Sequence, residues 1–168
     1  MKALTHTFLV LIGILTISSC TIYETEIETD VELVYSSTIS IAEVDFVPED
    51  DFVTVAEYGW DNLDEVTVDE GLVLGYIRFE GTTAWQSLPL STPFENDVVV
   101  LRYSYDIDTF NLIIEGEVGG NNEANENLFD GDILRVIAIP PTQIIRGKGI
   151  DYNNYQQIVD LYDIDFNE

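Results

Sequence analysis

The chain alternates apolar and polar residues over most of its length, a pattern typical of strands with one buried face. The strongest example contains Val98-Val99-Val100-Leu101 and ends at Asp106. Gly, Pro, Asp and Asn interrupt the alternation at short intervals, which favours an all-β fold: a mostly antiparallel sandwich or barrel-like structure. The predicted strands cover residues 38–47, 52–58, 72–80, 84–90, 97–106, 110–115 and 133–139.

The C-terminal segment follows a different period. Its apolar and aromatic residues recur at helical spacing, at Tyr152, Tyr155, Ile158, Val159 and Tyr162. This spacing predicts one amphipathic α-helix over about 151–162, with Asp151 or Asn153 as its N-cap. We expect the apolar face of this helix to pack on the sheet or to close one end of it.

The first part of the chain carries an apolar segment of another kind. Lys2 precedes a continuous apolar run over residues 8–17. At about 1.5 Å per helical residue, this run spans roughly half of the ~30 Å hydrocarbon core of a bilayer. We therefore interpret it as the hydrophobic part of a signal peptide and not as a transmembrane helix.

The segment Ile17-Ser18-Ser19-Cys20 ends this apolar run. An aliphatic residue, two small residues and a cysteine resemble the lipobox of bacterial lipoproteins. The resemblance implies a lipoprotein signal peptide over 1–19, cleavage before Cys20, and acyl chains on Cys20 that hold the protein on a membrane. The alternative is an ordinary secretory signal with an incidental cysteine.

Residues 20–30 are acidic and form a predicted tether, which precedes a single domain over 31–168. Glu24, Glu26 and Glu28 loosely match the acidic surface-export signal of Bacteroidota lipoproteins. Thr21 follows the cysteine where many inner-membrane lipoproteins carry Asp. These resemblances imply an outer-membrane location, and they leave open whether the domain faces the periplasm or the cell surface.

Charge narrows the range of partners. The chain has 32 Asp and Glu against 6 Lys and Arg, and its net charge is -26. This balance argues against a nucleic-acid partner, because phosphate binding depends on clusters of basic residues. It also opposes docking of the protein surface on anionic lipid. Disorder is not implied, because 46% of the residues are hydrophobic and 11% are aromatic.

Removal of the signal peptide also removes His6, the only histidine, and Cys20 is the only cysteine. A processed chain therefore cannot build a Ser-His-Asp or Cys-His arrangement, or a histidine-ligated zinc site. We predict a non-enzymatic interaction or accessory module. A carboxylate-dependent hydrolase is a less favoured alternative, since carboxyl pairs arise easily by chance among so many acids.

Three arginines, Arg78, Arg102 and Arg135, lie inside predicted strands. A guanidinium surrounded by acidic residues is expected to pair with a carboxylate, so we predict structural ion pairing for all three. The functional alternative is an anion or carboxylate-ligand site where the three converge.

Aromatic side chains suggest a second possible function. Trp60 lies in a turn-like segment next to Tyr58, and both are candidate residues of an exposed platform for sugars. Trp85, in a motif with Leu88 and Pro89, is expected to be core. A carbohydrate-binding module is therefore the main alternative function.

Clusters of acidic residues are candidate calcium ligands, because Ca²⁺ prefers oxygen ligands. No D-x-[DN]-x-[DN]-G loop is present. The sequence therefore predicts no cofactor and no defined metal site, with weak calcium binding left open. The clusters are Glu49-Asp50-Asp51, then Asp61, Asp64 and Glu65, then Asp130 and Asp132.

Several strand motifs together resemble a family. They are Trp85-Gln86-Ser87-Leu88-Pro89, Tyr103-Ser104-Tyr105-Asp106 and Leu134-Arg135-Val136-Ile137-Ala138-Ile139-Pro140. Over residues 40–162 the chain is similar to small Bacteroidota lipoproteins of flavobacterial type, whose function is unassigned. The resemblance implies a β-rich body with a terminal helix. It supplies no activity and no identified protein or glycan partner.

Overall fold

A computed structural model describes residues 33–94, 97–116, 129, 131–146 and 149–164. The predicted signal peptide, lipobox and tether, and also Asp130, lie outside these residues. The strands of the described part are β1 (Tyr35–Ser40), β2 (Phe46–Pro48), β3 (Val53–Gly59), β4 (Leu72–Arg78), β5 (Gln86–Ser87), β6 (Leu90–Phe94), β7 (Asp97–Asp106), β8 (Thr109–Glu115) and β9 (Ile133–Ile139). The α-helices are α1 (Glu65–Glu70) and α2 (Tyr155–Tyr162).

The strands form two antiparallel sheets. Sheet A has the order β1-β9-β4-β5, and sheet B has the order β2-β3-β8-β7-β6. Sheet B contains the hairpin of β7 and β8, whose two-residue turn is Ile107-Asp108, with Asp108 in the left-handed region at φ 58°. The predicted all-β sandwich with a short C-terminal helix is thus confirmed.

The C-terminal helix begins at Tyr155, later than the predicted start near residue 151. Its N-cap is Asn154, whose side chain accepts a hydrogen bond from the backbone N–H of Gln157 at 3.2 Å. Asp151 is engaged differently, because its carboxylate accepts from the N–H of Asn153 at 3.0 Å and so stabilises the preceding turn. The predicted caps, Asp151 and Asn153, were therefore wrong.

The predicted strand over residues 38–47 is divided between the two sheets. β1 belongs to sheet A, a 3₁₀ turn spans Ile41–Glu43, and β2 belongs to sheet B. The buried side chains explain this division: Ile39 and Ile41 are odd-numbered, whereas Phe46 is even-numbered. A single strand would turn these residues to opposite faces, so the chain changes sheets where the alternation changes phase.

The interior of the sandwich is apolar. Sheet A contributes one face of β4 and β9, and sheet B contributes the facing side of β3, β7 and β8. Tyr103 of β7 crosses the interior, and its hydroxyl donates to the carbonyl of Val73 in β4 at 2.8 Å. The tyrosine ring lies against Gly75, where a Cβ would come 3.2 Å from the ring. The main residues of this core are Val73, Ile77, Leu134, Val136, Ala56, Val99, Leu101, Phe110, Leu112 and Ile114.

The opposite face of sheet A is also buried. Leu74 and Tyr76 of β4 and Ile137 and Ile139 of β9 pack in a second apolar cluster with Ile158 of α2. The middle strands of sheet A are thus covered on both sides, by sheet B on one face and by the C-terminal segment on the other. This second layer holds the residues of the candidate site.

Helix α1, which the sequence pattern did not predict, joins the two sheets. Asp64 is its N-cap and accepts from the backbone N–H of Thr67 at 2.7 Å, an interaction that lowers the pKa of Asp64. Gly71 ends the helix where the chain passes close to β9. A Cβ on Gly71 would lie 2.6 Å from the carbonyl oxygen of Thr67 and 2.7 Å from that of Ile139.

We therefore predict that Gly71→Ala lowers the free energy of unfolding by about 1–3 kcal/mol, because backbone atoms on both sides must move. Gly59→Ala is the matched control, since a Cβ there meets nothing within 4 Å, and it should change stability by less than about 0.5 kcal/mol. Chemical denaturation of both variants measures the difference. Equal effects of the two substitutions would contradict this account of Gly71.

Candidate functional site

Two of the three strand arginines converge on the outer face of sheet A. Arg135 of β9 pairs in register with Tyr76 of β4, so both side chains lie on the same face. Arg78 is two residues further along β4 and therefore shares that face. Trp85, just before β5, contributes an indole ring that both guanidinium groups contact. We call Arg78, Arg135, Trp85 and Tyr155 the Arg–Trp cluster.

The guanidinium groups lie against the indole. The Cζ atom of Arg135 is 4.7 Å from the centre of the Trp85 ring, and that of Arg78 is 5.1 Å away. Tyr155 of α2 stacks on the same indole, with 4.8 Å between ring centres and 28° between ring planes. Each cation–π contact of this kind contributes about 0.5–2 kcal/mol, depending on how far it is desolvated.

Hydrogen bonds fix the orientation of Arg135. Its Nε–H donates to Oγ1 of Thr38 at 3.2 Å, and Thr38 is its register partner in β1. Its Nη1 donates to the hydroxyl of Tyr155. Arg135 therefore links the edge strand β1, the central strand β9 and helix α2.

Two buried tyrosines, Tyr76 and Tyr155, pack against each other beneath the arginines and the indole. The Tyr76 ring meets the Tyr155 ring edge to face at 5.3 Å, and the Tyr76 hydroxyl donates to the carbonyl of Tyr152 at 2.5 Å. Burial raises the pKa of Tyr76 above its ordinary value. Burial also raises the pKa of Tyr155, although its hydrogen bond with Arg135 opposes this shift. Both phenols therefore remain neutral at physiological pH.

Arg78 differs from Arg135 in its partners. Among the residues that the structure describes, the Arg78 guanidinium forms no hydrogen bond and no ion pair; its contact is with Trp85. The nearest acid in sequence, Glu80, is directed elsewhere, because its side chain lies over Gly131. The backbone N–H of Glu80 donates to the buried carboxylate of Asp132 at 2.6 Å.

Arg102 lies apart from the cluster, on the solvent face of sheet B. It pairs with Glu115 of β8, and its Nε lies 2.6 Å from the Glu115 carboxylate. Both side chains are well exposed, at 42% and 36%, so the pair contributes about 0–1 kcal/mol. The three arginines therefore do not converge on one site, and carboxylate pairing is seen for Arg102 and not for Arg78.

The aromatic platform expected at Trp60 and Tyr58 is not exposed. Trp60 is only 6% exposed, and its backbone N–H donates to the carbonyl of Asp108 at 2.7 Å. The hydroxyl of Tyr58 shares a hydrogen bond of 3.1 Å with Ser37 across the end of the sandwich. Trp85, expected to be core, is instead half-buried. Since a turn-like segment can fold back onto a hairpin, local sequence did not reveal the burial of Trp60.

Within the described residues, members of the acid clusters interact with nearby parts of the chain. The Asp50 carboxylate accepts from the N–H of Phe52 at 2.7 Å, Asp64 caps α1, and burial raises the pKa of Asp132. Within the described ranges, no group of three His, Cys, Asp or Glu side chains could hold a metal ion. A shallow groove beside β1 and β3 has Glu43, Asp45 and Glu57 in its lining.

Comparisons with protein-family models, with curated proteins and with solved structures gave no match to this chain. The chemistry of the Arg–Trp cluster therefore follows from its own groups. Guanidinium groups stay protonated at all physiological pH values, and they offer fixed N–H donors for planar anions. An arrangement of two arginines, an indole and a neutral phenol is suited to binding and not to proton transfer.

We predict that Tyr76→Phe lowers the free energy of unfolding at pH 7 by about 1 kcal/mol, because the carbonyl of Tyr152 loses its donor. Tyr105→Phe is the control, since Tyr105 is 36% exposed and its hydroxyl forms no hydrogen bond with the described residues. Thermal unfolding of both variants measures the effect. A cost at Tyr105 as large as that at Tyr76 would contradict the role given to the Tyr76 hydroxyl.

The same substitution should change the dependence of stability on pH. The folded state raises the pKa of Tyr76 above 10.0, so above pH 10 the unfolded chain releases this proton first. Stability that is fully present below pH 10 is therefore lost as the pH rises. Unfolding measured from pH 7 to 11 should show a smaller loss in Tyr76→Phe than in the unchanged protein.

Proposed function

We propose that this protein is a lipid-anchored interaction or accessory module of a bacterial envelope, held at the outer membrane by acyl chains on Cys20. The observation that carries the proposal is the segment Ile17-Ser18-Ser19-Cys20 at the end of a short apolar run. Each buried methylene group contributes about 0.8 kcal/mol, so two or more acyl chains anchor a domain stably.

Electrostatics supports anchoring by lipid over adsorption. A chain with a net charge of -26 is repelled by an anionic bilayer, so its retention at a membrane requires a covalent anchor or a partner. No helix among the described residues is long and apolar enough to cross a bilayer.

A binding role is supported by the chemistry that the fold brings together. In the Arg–Trp cluster, the cations cannot act as bases, and burial raises the pKa of Tyr155, which therefore is a poor proton donor at neutral pH. The carbohydrate-binding alternative depended on Trp60 and Tyr58, which the fold uses internally. We therefore favour a non-enzymatic module, and the similarity to small Bacteroidota lipoproteins is part of this proposal.

We predict that Cys20→Ala abolishes lipid labelling and releases the protein from the membrane, because alanine has no sulfur to acylate. Ser19→Ala is the matched control, since alanine is also small and leaves the cysteine in place. Both full-length variants are expressed in a Gram-negative host, labelled with radioactive palmitate and fractionated. Unchanged membrane retention and labelling of Cys20→Ala would refute the lipid anchor.

A further inference from the structure

We propose that Arg78, together with Arg135 and Trp85, forms a binding site for a singly charged carboxylate group of a small ligand. The Arg78 guanidinium is the group that contacts the carboxylate directly. This inference concerns the folded body and does not depend on the lipid anchor.

Arg78 has hydrogen-bond donors that are available to a ligand. A guanidinium carries five N–H donors, and in this protein Arg78 directs none of them to the residues that the structure describes. Its contact with the Trp85 ring, 5.1 Å from the ring centre, is made with the guanidinium as a whole and uses no N–H. The side chain is half-buried, so it is held in place while its donors remain available.

The groups around Arg78 are preorganised. The Trp85 ring is fixed by stacking on Tyr155, and Arg135 is fixed by Thr38 and by the Tyr155 hydroxyl. The Arg135 guanidinium lies 4.7 Å from the same ring centre, and Arg135 is the diagonal neighbour of Arg78 on the outer face of β4 and β9, so both guanidinium groups are placed beside one indole without a ligand.

The Arg–Trp cluster is accessible from solvent. Residues 80–84, which connect the end of β4 to Trp85, are all exposed, so the cluster borders on solvent. Glu80 is the acidic residue closest to Arg78 in sequence. Its side chain is directed towards Gly131, so it does not block the approach to Arg78 along residues 80–84. A small ligand can therefore approach Arg78 along the exposed segment.

The chemical class of the ligand follows from shape and charge. A carboxylate is planar and can accept two parallel N–H donors from one guanidinium. The net charge of -26 repels every anion in proportion to its own charge, so a monoanion is penalised less than a phosphate dianion. Arg78 and Arg135 provide the local positive potential that holds an anion against this background.

The test uses the full-length protein in a non-ionic detergent, with ¹⁵N-labelled arginine and tryptophan. Acetate is the probe, and it replaces chloride at constant ionic strength and pH 6.5. We expect the Nε–H signals of Arg78 and Arg135 and the indole signal of Trp85 to shift together and to saturate at one dissociation constant. The signal of Arg102, which is paired with Glu115, should stay in place. Shifts that are linear in acetate, or equal at all arginines, would overturn the proposal.

Two matched variants assign the site. Arg78→Gln should weaken acetate binding roughly tenfold or more, as expected for the loss of charge-assisted hydrogen bonds. Arg102→Gln removes the same charge from sheet B and should leave the dissociation constant unchanged. If Arg78→Gln fails to fold, Arg78→Lys keeps the charge but loses the planar pair of donors, and it should still bind several-fold more weakly. Unchanged binding in a folded Arg78 variant would overturn the assignment.

Inorganic phosphate at pH 8 tests the chemical class. Binding weaker than that of acetate supports a monoanionic carboxylate site, whereas tighter binding of phosphate would contradict the class proposed. These measurements are independent of Cys20, so a negative result here and a negative result for the lipid anchor are distinguishable.

Discussion

The middle strands of sheet A must be covered on both faces, and the rest of the architecture follows from this constraint. In β4 and β9, apolar side chains point both ways: Val73 and Val136 towards sheet B, and Leu74 and Ile137 towards the C-terminal segment. Sheet B alone would leave the second face in water. Helix α2 covers this second face with Ile158, so the short C-terminal helix is part of the hydrophobic core.

Tyrosine makes this layered packing compatible with backbone hydrogen bonding. β5 is only two residues long, so much of the edge of β4 has no neighbouring strand. The carbonyls of Val73 and Gly75 point to this side, where they accept from the Tyr103 hydroxyl and from the N–H of Leu88. A buried carbonyl without a donor costs about 1–3 kcal/mol, so the polar end of Tyr103 stabilises the edge while its ring fills the interior.

The few arginines of this acidic chain make different contacts on the two sheets. On sheet B, the exposed pair of Arg102 and Glu115 adds little stability. On sheet A, Arg78 and Arg135 both lie against the indole ring of Trp85. Because the second layer brings α2 to these arginines, the same packing that completes the core also creates the candidate binding site.

The sequence determined most of the strands, since a period of two specifies a half-buried strand locally. The bounds 97–106 and 133–139 agree with β7 and β9, whereas the strand predicted over 84–90 is reduced to the two residues of β5, and most of β6 was not predicted. It also showed which arginines lie within strands. Only the tertiary structure decided which strands are neighbours, which of Trp60 and Trp85 is buried, and which arginines meet. These properties depend on contacts between segments distant in the chain, and local alternation carries no information about such contacts. The division of 38–47 between two sheets and the convergence of Arg78 with Arg135 both follow from that packing.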